Sequence, residues 1–250
     1  MASNTAQTEA VPMSEVSRLI NVFFEPKKAF ADIAQRPRWV VPLLIAIVFG
    51  AGYIYAFNKH IGWESYLHRL FDTNPQVQRL PAEQRERAFQ LQLRVVPMTS
   101  IAGAVVFPPL VFLAGAAIAL GIVKGLMGAP IRFSQAFAVF AYSWLPHSVY
   151  LVLSTVVMFV TPHPEDFDLQ NGFFSNPGAF MDPMTANKFL RTVASNLDVF
   201  VIWTLLLIAT GLKAAGGKKL SFGGALFAVL LPFAVYVLLR GAVATAGFGG

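Results

Sequence analysis

The sequence predicts an all-α membrane protein: five transmembrane helices preceded by short interfacial amphipathic helices. Three observations carry this. First, four stretches, 39–57, 95–123, 133–162 and 220–239, each run nineteen or more residues without an Asp, Glu, Lys or Arg, and a fifth, 193–212, is interrupted only by Asp198. A helix rises about 1.5 Å per residue, so roughly 20 apolar residues cross a hydrocarbon core about 30 Å thick. Second, the 250 residues are 56% hydrophobic and only 13% charged, against about 25% charge in a typical soluble domain. Third, Met13, Val16, Leu19, Ile20, Phe23 and Phe24 recur at helical spacing just ahead of the first apolar stretch.

Each element follows in order. Residues 1–12 are small and polar and are expected to lack order. They contain no apolar core of the kind a signal peptide needs, so the first apolar segment is expected to be a retained span. Residues 13–38 form a pair of short helices. Ser14 caps the first, and Pro26 fits the opening turn of the second, which carries Ala29, Phe30 and Ile33 on one side. Lys27, Lys28, Arg36 and Arg38 border them as a basic rim suited to anionic headgroups or to a partner, so the pair is expected to lie in the headgroup plane; the alternative is a cytoplasmic hairpin packed on the bundle. The five-span domain covers 39–245, with spans expected near 39–57, 97–123, 135–160, 193–213 and 220–240.

Residues 60–94 are the most charged part of the chain. Pro75 and Pro81 divide them into two helical pieces on the membrane surface. The second span contains Pro97, Pro108 and Pro109, and proline there predicts kinks. Its end places Ala117, Gly121 and Gly125 four apart, a flat stripe that lets another helix approach closely. Packing within the chain is its expected use.

Polar groups within the spans are the candidate site. His147 lies in the third span beside Tyr142, Ser143 and Pro146, and an ionisable group at that depth belongs in the bundle interior. Its structural use is to donate to a carbonyl that Pro146 frees. Asp198 opens the fourth span, either as the cap of that helix or paired with Arg240 at the end of the fifth. His163, Glu165, Asp166 and Asp168 are close in sequence, but Pro164 and an open loop argue against a metal cage. No metal or other cofactor is expected.

Enzyme signatures are missing: there is no HExxH, GxSxG or GKS/T motif and no intramembrane aspartate pair. With no cysteine, thiolate metal sites, disulfides and thiol catalysis are excluded. The net charge of +6 is spread beside the spans, which points to lipid and topology rather than to nucleic acid. An odd number of spans puts the termini on opposite faces. With the N-terminus cytoplasmic, the inner segments hold Arg18, Lys27, Lys28, Arg36, Arg38, Lys124, Arg132, Lys213, Lys218 and Lys219. Four of these flank the first span, and most of the outer basic residues lie in the 58–94 connector, away from span ends. N-inside, in the plasma (inner) membrane, is the expected arrangement.

The order of the pieces resembles the Yip domain family, the Ypt/Rab-interacting proteins and their prokaryotic relatives. The resemblance covers roughly residues 17–240. It rests on FEPKKAF (24–30), RPRWVVP (36–42), FSQAFAVFAYSWLP (133–146) and NLDVFVIW (196–203), with Gly211 following. The long Pro-rich N-terminal region and the Asp-Leu-Tyr-Gly-Pro element of eukaryotic members are missing, so the resemblance is to a prokaryotic-type member. It implies five spans behind a cytoplasmic N-terminus. The expected role is non-enzymatic: organising membranes or binding partners, whether other membrane proteins or further copies of itself. The alternative is a small transporter, channel subunit or lipid-handling protein with a polar path near His147.

Overall fold

The computed structural model describes residues 12–163, 167–169, 171–182 and 185–245. Every regular element among them is helical. The expected disorder of residues 1–12 lies almost wholly outside them, as do Glu165 and Asp166.

The N-terminal pair is α1 (Glu15–Phe24) and α2 (Pro26–Gln35). Ser14 caps α1 by accepting from Ser17 N at 3.1 Å, and Pro26 occupies the first turn of α2, where a missing N–H costs nothing. These helices do not lie apart from the bundle. Ala29, Phe30 and Ile33 enter the main hydrophobic core, with α2 against α10 and α7. The apolar face of α2 therefore rests on protein, not on headgroups.

Five helical segments are long and apolar enough to cross a membrane: Val40–His60, Ala82–Met127, Phe133–Val160, Val199–Lys219 and Phe222–Thr245. The first is α3 (Val40–His60). A turn through Gly62, whose φ of 81° suits a residue without Cβ, leads into α4 (Trp63–Thr73) and α5 (Pro75–Gln78). Tyr66, Leu67 and Phe71 are buried along α4: Tyr66 packs with Phe57 and Trp63, and Leu67 and Phe71 pack beside Phe89.

The second piece of the connector is not a separate helix. It is the first third of α6 (Ala82–Met127), a single 46-residue helix that continues through Pro97, Pro108 and Pro109. At 1.5 Å per residue it is about 69 Å long, more than twice the hydrocarbon thickness. The helix continues through the prolines because each removes one hydrogen bond while the rest of the ladder holds. Pro108 deprives the Ala104 carbonyl of its helical donor, and α3 packs at that point through Gly50: a Cβ there would sit 3.6 Å from the Ala104 oxygen. Gly128, with φ of 63°, ends the helix in the left-handed C-cap that glycine favours.

The third span does break. α7 (Phe133–Ser143) and α8 (Leu145–Val160) meet at Trp144. Pro146 cannot donate to Tyr142, and the chain tightens instead, with His147 N on Trp144 O at 2.9 Å.

A 3₁₀ turn (Pro177–Phe180) and α9 (Lys188–Asn196) precede α10 (Val199–Gly216). The fourth span thus begins later than expected. Residues 193–196 belong to α9, which packs on α11 (Phe222–Thr245), and the span reaches its length at the other end through Lys219. α10 is the most enclosed span, touched by α2, α7, α8 and α11. Gly211 makes this possible: a Cβ there would fall 2.5 Å from Val139 Cγ1 and 2.9 Å from Phe30 Cδ1.

Candidate functional site

Two buried polar centres stand out, one at the N-terminal hairpin and one beneath the loop after α8. The first is built on Arg18, which is only 1% exposed. Glu15, Arg18 and Val22 recur at i, i+3 and i+7, so one face of α1 turns a cation toward the bundle together with its apolar neighbour. Arg18 Nε donates to Asp32 Oδ2 at 2.6 Å, and Nη2 reaches the same oxygen at 2.5 Å. Nη1 pairs with Glu15 Oε1 at 3.1 Å, and Arg38 approaches that carboxylate at 3.7 Å. From the third span, the Tyr142 hydroxyl donates to Glu15 Oε2 at 2.5 Å. Met13 N donates to Asp32 Oδ1 at 3.2 Å.

Two carboxylates and two guanidinium groups thereby balance, and one tyrosine ties them to the core. Burial by itself works against the Arg18 charge. The hydrogen bonds to Asp32 and Tyr142 and the nearby Asp32 charge outweigh it, so the pKa moves up from its ordinary value. Arg18 is a permanent cation in the folded state. A second tie is Gln135 Nε2, which donates to Ala34 O at 2.7 Å and holds the end of α2 to the start of α7.

The second centre lies where the segment after α8 folds back against the helices. Arg69 Nη2 holds Phe167 O at 2.7 Å, and Asn176 Nδ2 donates to Asn171 Oδ1 at 3.2 Å. Gly172 fits against α3 and α8: a Cβ there would sit 2.9 Å from the Tyr53 hydroxyl and 3.0 Å from Ser154 Cβ. Asp198 caps α10, accepting from Phe200 N at 2.8 Å and Val201 N at 3.3 Å through Oδ1. Its other oxygen takes the Ser175 hydroxyl. His147 lies between the rings of Trp144 and Tyr150, at centroid distances of 4.7 Å and 5.6 Å, within electrostatic range of Asp198. Among the described residues, the hydroxyls of Tyr53, Ser143, Ser148 and Ser154 are buried and find no hydrogen-bond partner. Tyr66, at the edge of this centre, has its pKa raised mainly by burial, with the Asp168 charge adding to it.

The structure separates the residues that the sequence groups together. Tyr142 turns to Glu15, not to His147. Ser143 is buried and unpartnered, and the imidazole of His147 meets rings rather than a freed carbonyl. Asp198 is the helix cap, and no pair with Arg240 forms: Arg240 Nη1 bonds the Tyr236 hydroxyl at 3.3 Å. Lys27, Lys28 and Arg38 are exposed and Arg36 is half-buried. Ala117, Gly121 and Gly125 face outward, and nothing lies within 4 Å of a Cβ built at either glycine, so the packing expected for them within the chain does not occur. No metal-ligating group of three or more His, Cys, Asp or Glu side chains exists among the described residues.

Sequence reasoning missed the Arg18 centre. The legible signal was a cation on the same face of α1 as Val22.

Five apolar helical segments behind a docked N-terminal hairpin agree with the profile of one family. The Yip1 domain matches residues 20–242, nearly the whole chain. The chain belongs to the Yip1 domain family. No curated protein and no solved structure matches it. The matched region of this Yip1 domain protein begins inside α1 and takes in all of α2, while Glu15 and Arg18 precede it.

Proposed function

We propose that this Yip1 domain protein is a non-enzymatic organiser of the plasma (inner) membrane, with its N-terminus cytoplasmic, which binds other membrane proteins or further copies of itself. One observation carries the reading: the N-terminal hairpin is clamped to the bundle by the buried Arg18 centre, so its outer surface is a fixed platform. A preordered surface loses little conformational entropy on binding, which favours recognition. The outward Ala117, Gly121 and Gly125 stripe adds a flat helix face of the kind that membrane helices use to associate.

The test is crosslinking and pull-down from native membranes. The intact protein is expected to capture specific partners or its own copies. Deleting residues 13–38 should lose partners bound at the hairpin, and Gly121→Leu should weaken self-association. Clear substrate-dependent flux in liposomes with no captured partner would sink this reading.

The unpartnered hydroxyls support a second reading, a small transporter or lipid-handling protein. Ser143, His147, Tyr150 and Ser154 recur at spacings of four, three and four along the third span, and Tyr53 faces them from α3. Flux that His147→Ala abolishes without loss of expression would establish it.

A further inference from the structure

α3 and α8 lie side by side but leave a groove between them, about 270 Å³ in volume. Val48, Phe49, Gly52 and Tyr53 line it from α3, and Val152 and Thr155 from α8. Its rim opens away from the bundle: Val48 is 64% exposed and Val152 43%. Its depth comes from Gly52, which is exposed and has nothing within 4 Å of a Cβ built there.

The lining offers hydrocarbon and no free polar group. The Thr155 hydroxyl donates to Leu151 O at 2.8 Å, which leaves its methyl group as the free end of the side chain. The Tyr53 hydroxyl is buried beneath the loop after α8, where a Cβ at Gly172 would sit 2.9 Å from it, so the ring alone is left to line the groove. A water held in such a place needs about two to four polar partners. The groove supplies none.

The position of the groove decides its occupant. Both helices belong to segments long and apolar enough to cross a membrane. A Cβ at Gly50 would lie 3.6 Å from the Ala104 oxygen, so the groove is level with the apolar stretch of α6. About two helical turns (~11 Å) past Gly52, Lys59 lies over the Tyr55 ring at 5.9 Å, a pairing of the kind that marks a membrane interface. The groove therefore opens into hydrocarbon, where the surrounding fluid is acyl chain. Left empty, its walls would forfeit their dispersion contacts. Its volume falls below the roughly 300 Å³ at which pockets begin to enclose drug-sized ligands. That suits a stretch of one flexible chain rather than a bulky ring system.

We infer that the groove between α3 and α8 is a lipid site: one acyl chain of a bilayer phospholipid lies in it against Gly52 and the Tyr53 ring, held by shape and not by charge. Tyr53 then has the chain on its ring and the loop on its hydroxyl, which ties occupancy of the groove to the packing of the second polar centre. The site stands apart from both readings above, since a resident chain is retained whether the protein gathers partners or carries a substrate.

The test is photolabelling of the full-length protein in phosphatidylcholine vesicles that include a phosphatidylcholine with a diazirine midway along one chain. Labelled residues are mapped by peptide mass spectrometry. Ile101 and Val105, exposed on α6 at the same depth, measure ordinary lipid contact. Groove residues should take label several-fold more often than these two. Gly52→Leu fills the groove from α3 and Val152→Phe fills it from α8. Each should bring groove labelling down to the α6 level and leave Ile101 and Val105 unchanged. Equal labelling of groove and α6 in the wild-type protein overturns the inference, and that comparison needs no variant to fold. Labelling that survives both fillings, in variants that melt like wild type, overturns it as well. The chain has no cysteine, so Gly52→Cys reports on a rival occupant. Disulfide-linked dimers on oxidation, with no label in the groove, would give it to a second copy instead. Partner capture and flux are separate measurements, and neither result changes this one.

Discussion

A single buried arginine couples the N-terminal hairpin to the third span, and its removal is the most damaging single change expected near the hairpin. Arg18→Ala leaves Asp32 and Glu15, whose side chains are 15% and 26% exposed, without their main counter-charge. Because those carboxylates keep some water, the cost should fall below the about 3–5 kcal/mol of a fully buried pair broken from one side. The outcome is release of α1 and α2, measured as protease cleavage within residues 13–38 while the spans stay protected. Tyr142→Phe removes one charge-assisted hydrogen bond and should cost about 1.5–3 kcal/mol. Because the folded-state pKa of Arg18 is raised above its unfolded value, its contribution is fully present below the unfolded pKa. It is lost only as pH rises through the folded value, so this cation brings no pH dependence near neutrality. At the other centre, Asp198→Asn keeps an acceptor for Phe200 N, whereas Asp198→Ala removes the cap of α10 at about 0.5–2 kcal/mol. Thermal unfolding in detergent should therefore rank wild type and Asn together above Ala.

At the level of the helices, two kinds of glycine do opposite work, and substitution separates them. Gly211→Val drives a side chain into Val139 and Phe30, where α2 and α7 both meet α10, so detergent melts should fall by several degrees and the hairpin should loosen. Gly121→Ala and Gly125→Ala meet open space, and in a helix alanine is favoured over glycine by about 0.8–1.0 kcal/mol, so the fold should hold or gain slightly. These glycines also mark the limit of sequence reading. Periodicity and apolar length are local properties, and they located all five spans. Whether a Gly stripe meets a neighbour depends on which helices are adjacent, and no local pattern in α6 encodes that. Its prolines likewise do not fix where the helix ends: Pro97, Pro108 and Pro109 all lie inside α6, whose remaining hydrogen bonds suffice. In the third span one proline was enough to divide α7 from α8. Asp198 was legible as a cap because capping is a contact between near neighbours in sequence. Its Ser175 partner, 23 residues away, was not.

Across the whole molecule, the two polar centres and the long helix α6 define a polarity that topology must respect. The hairpin end gathers Lys27, Lys28, Arg36 and Arg38 before α3, Lys124 and Arg132 around the α6–α7 turn, and Lys213, Lys218 and Lys219 between α10 and α11. Positive charge close to span ends is retained on the cytoplasmic side. The other end carries α4, α5 and the start of α6, whose charges include Arg85, Glu86 and Arg87 with Glu83, several residues from the apolar span. Their sign is mixed and their distance from the membrane reduces their topological weight. On the proposed topology, five crossings would send the C-terminus to the side opposite the hairpin. The cysteine-free chain allows this to be read with single substitutions at exposed sites. In intact cells, a membrane-impermeant maleimide should modify Gln76→Cys in the connector and leave Lys218→Cys and Gln35→Cys unmodified until the membrane is opened. Labelling of Gln35→Cys and Lys218→Cys in intact cells, with Gln76→Cys protected, would invert the topology and place the basic hairpin on the outer leaflet. Labelling of all three from one side would require an even number of crossings between α2 and the connector. It would mean that α3 does not span.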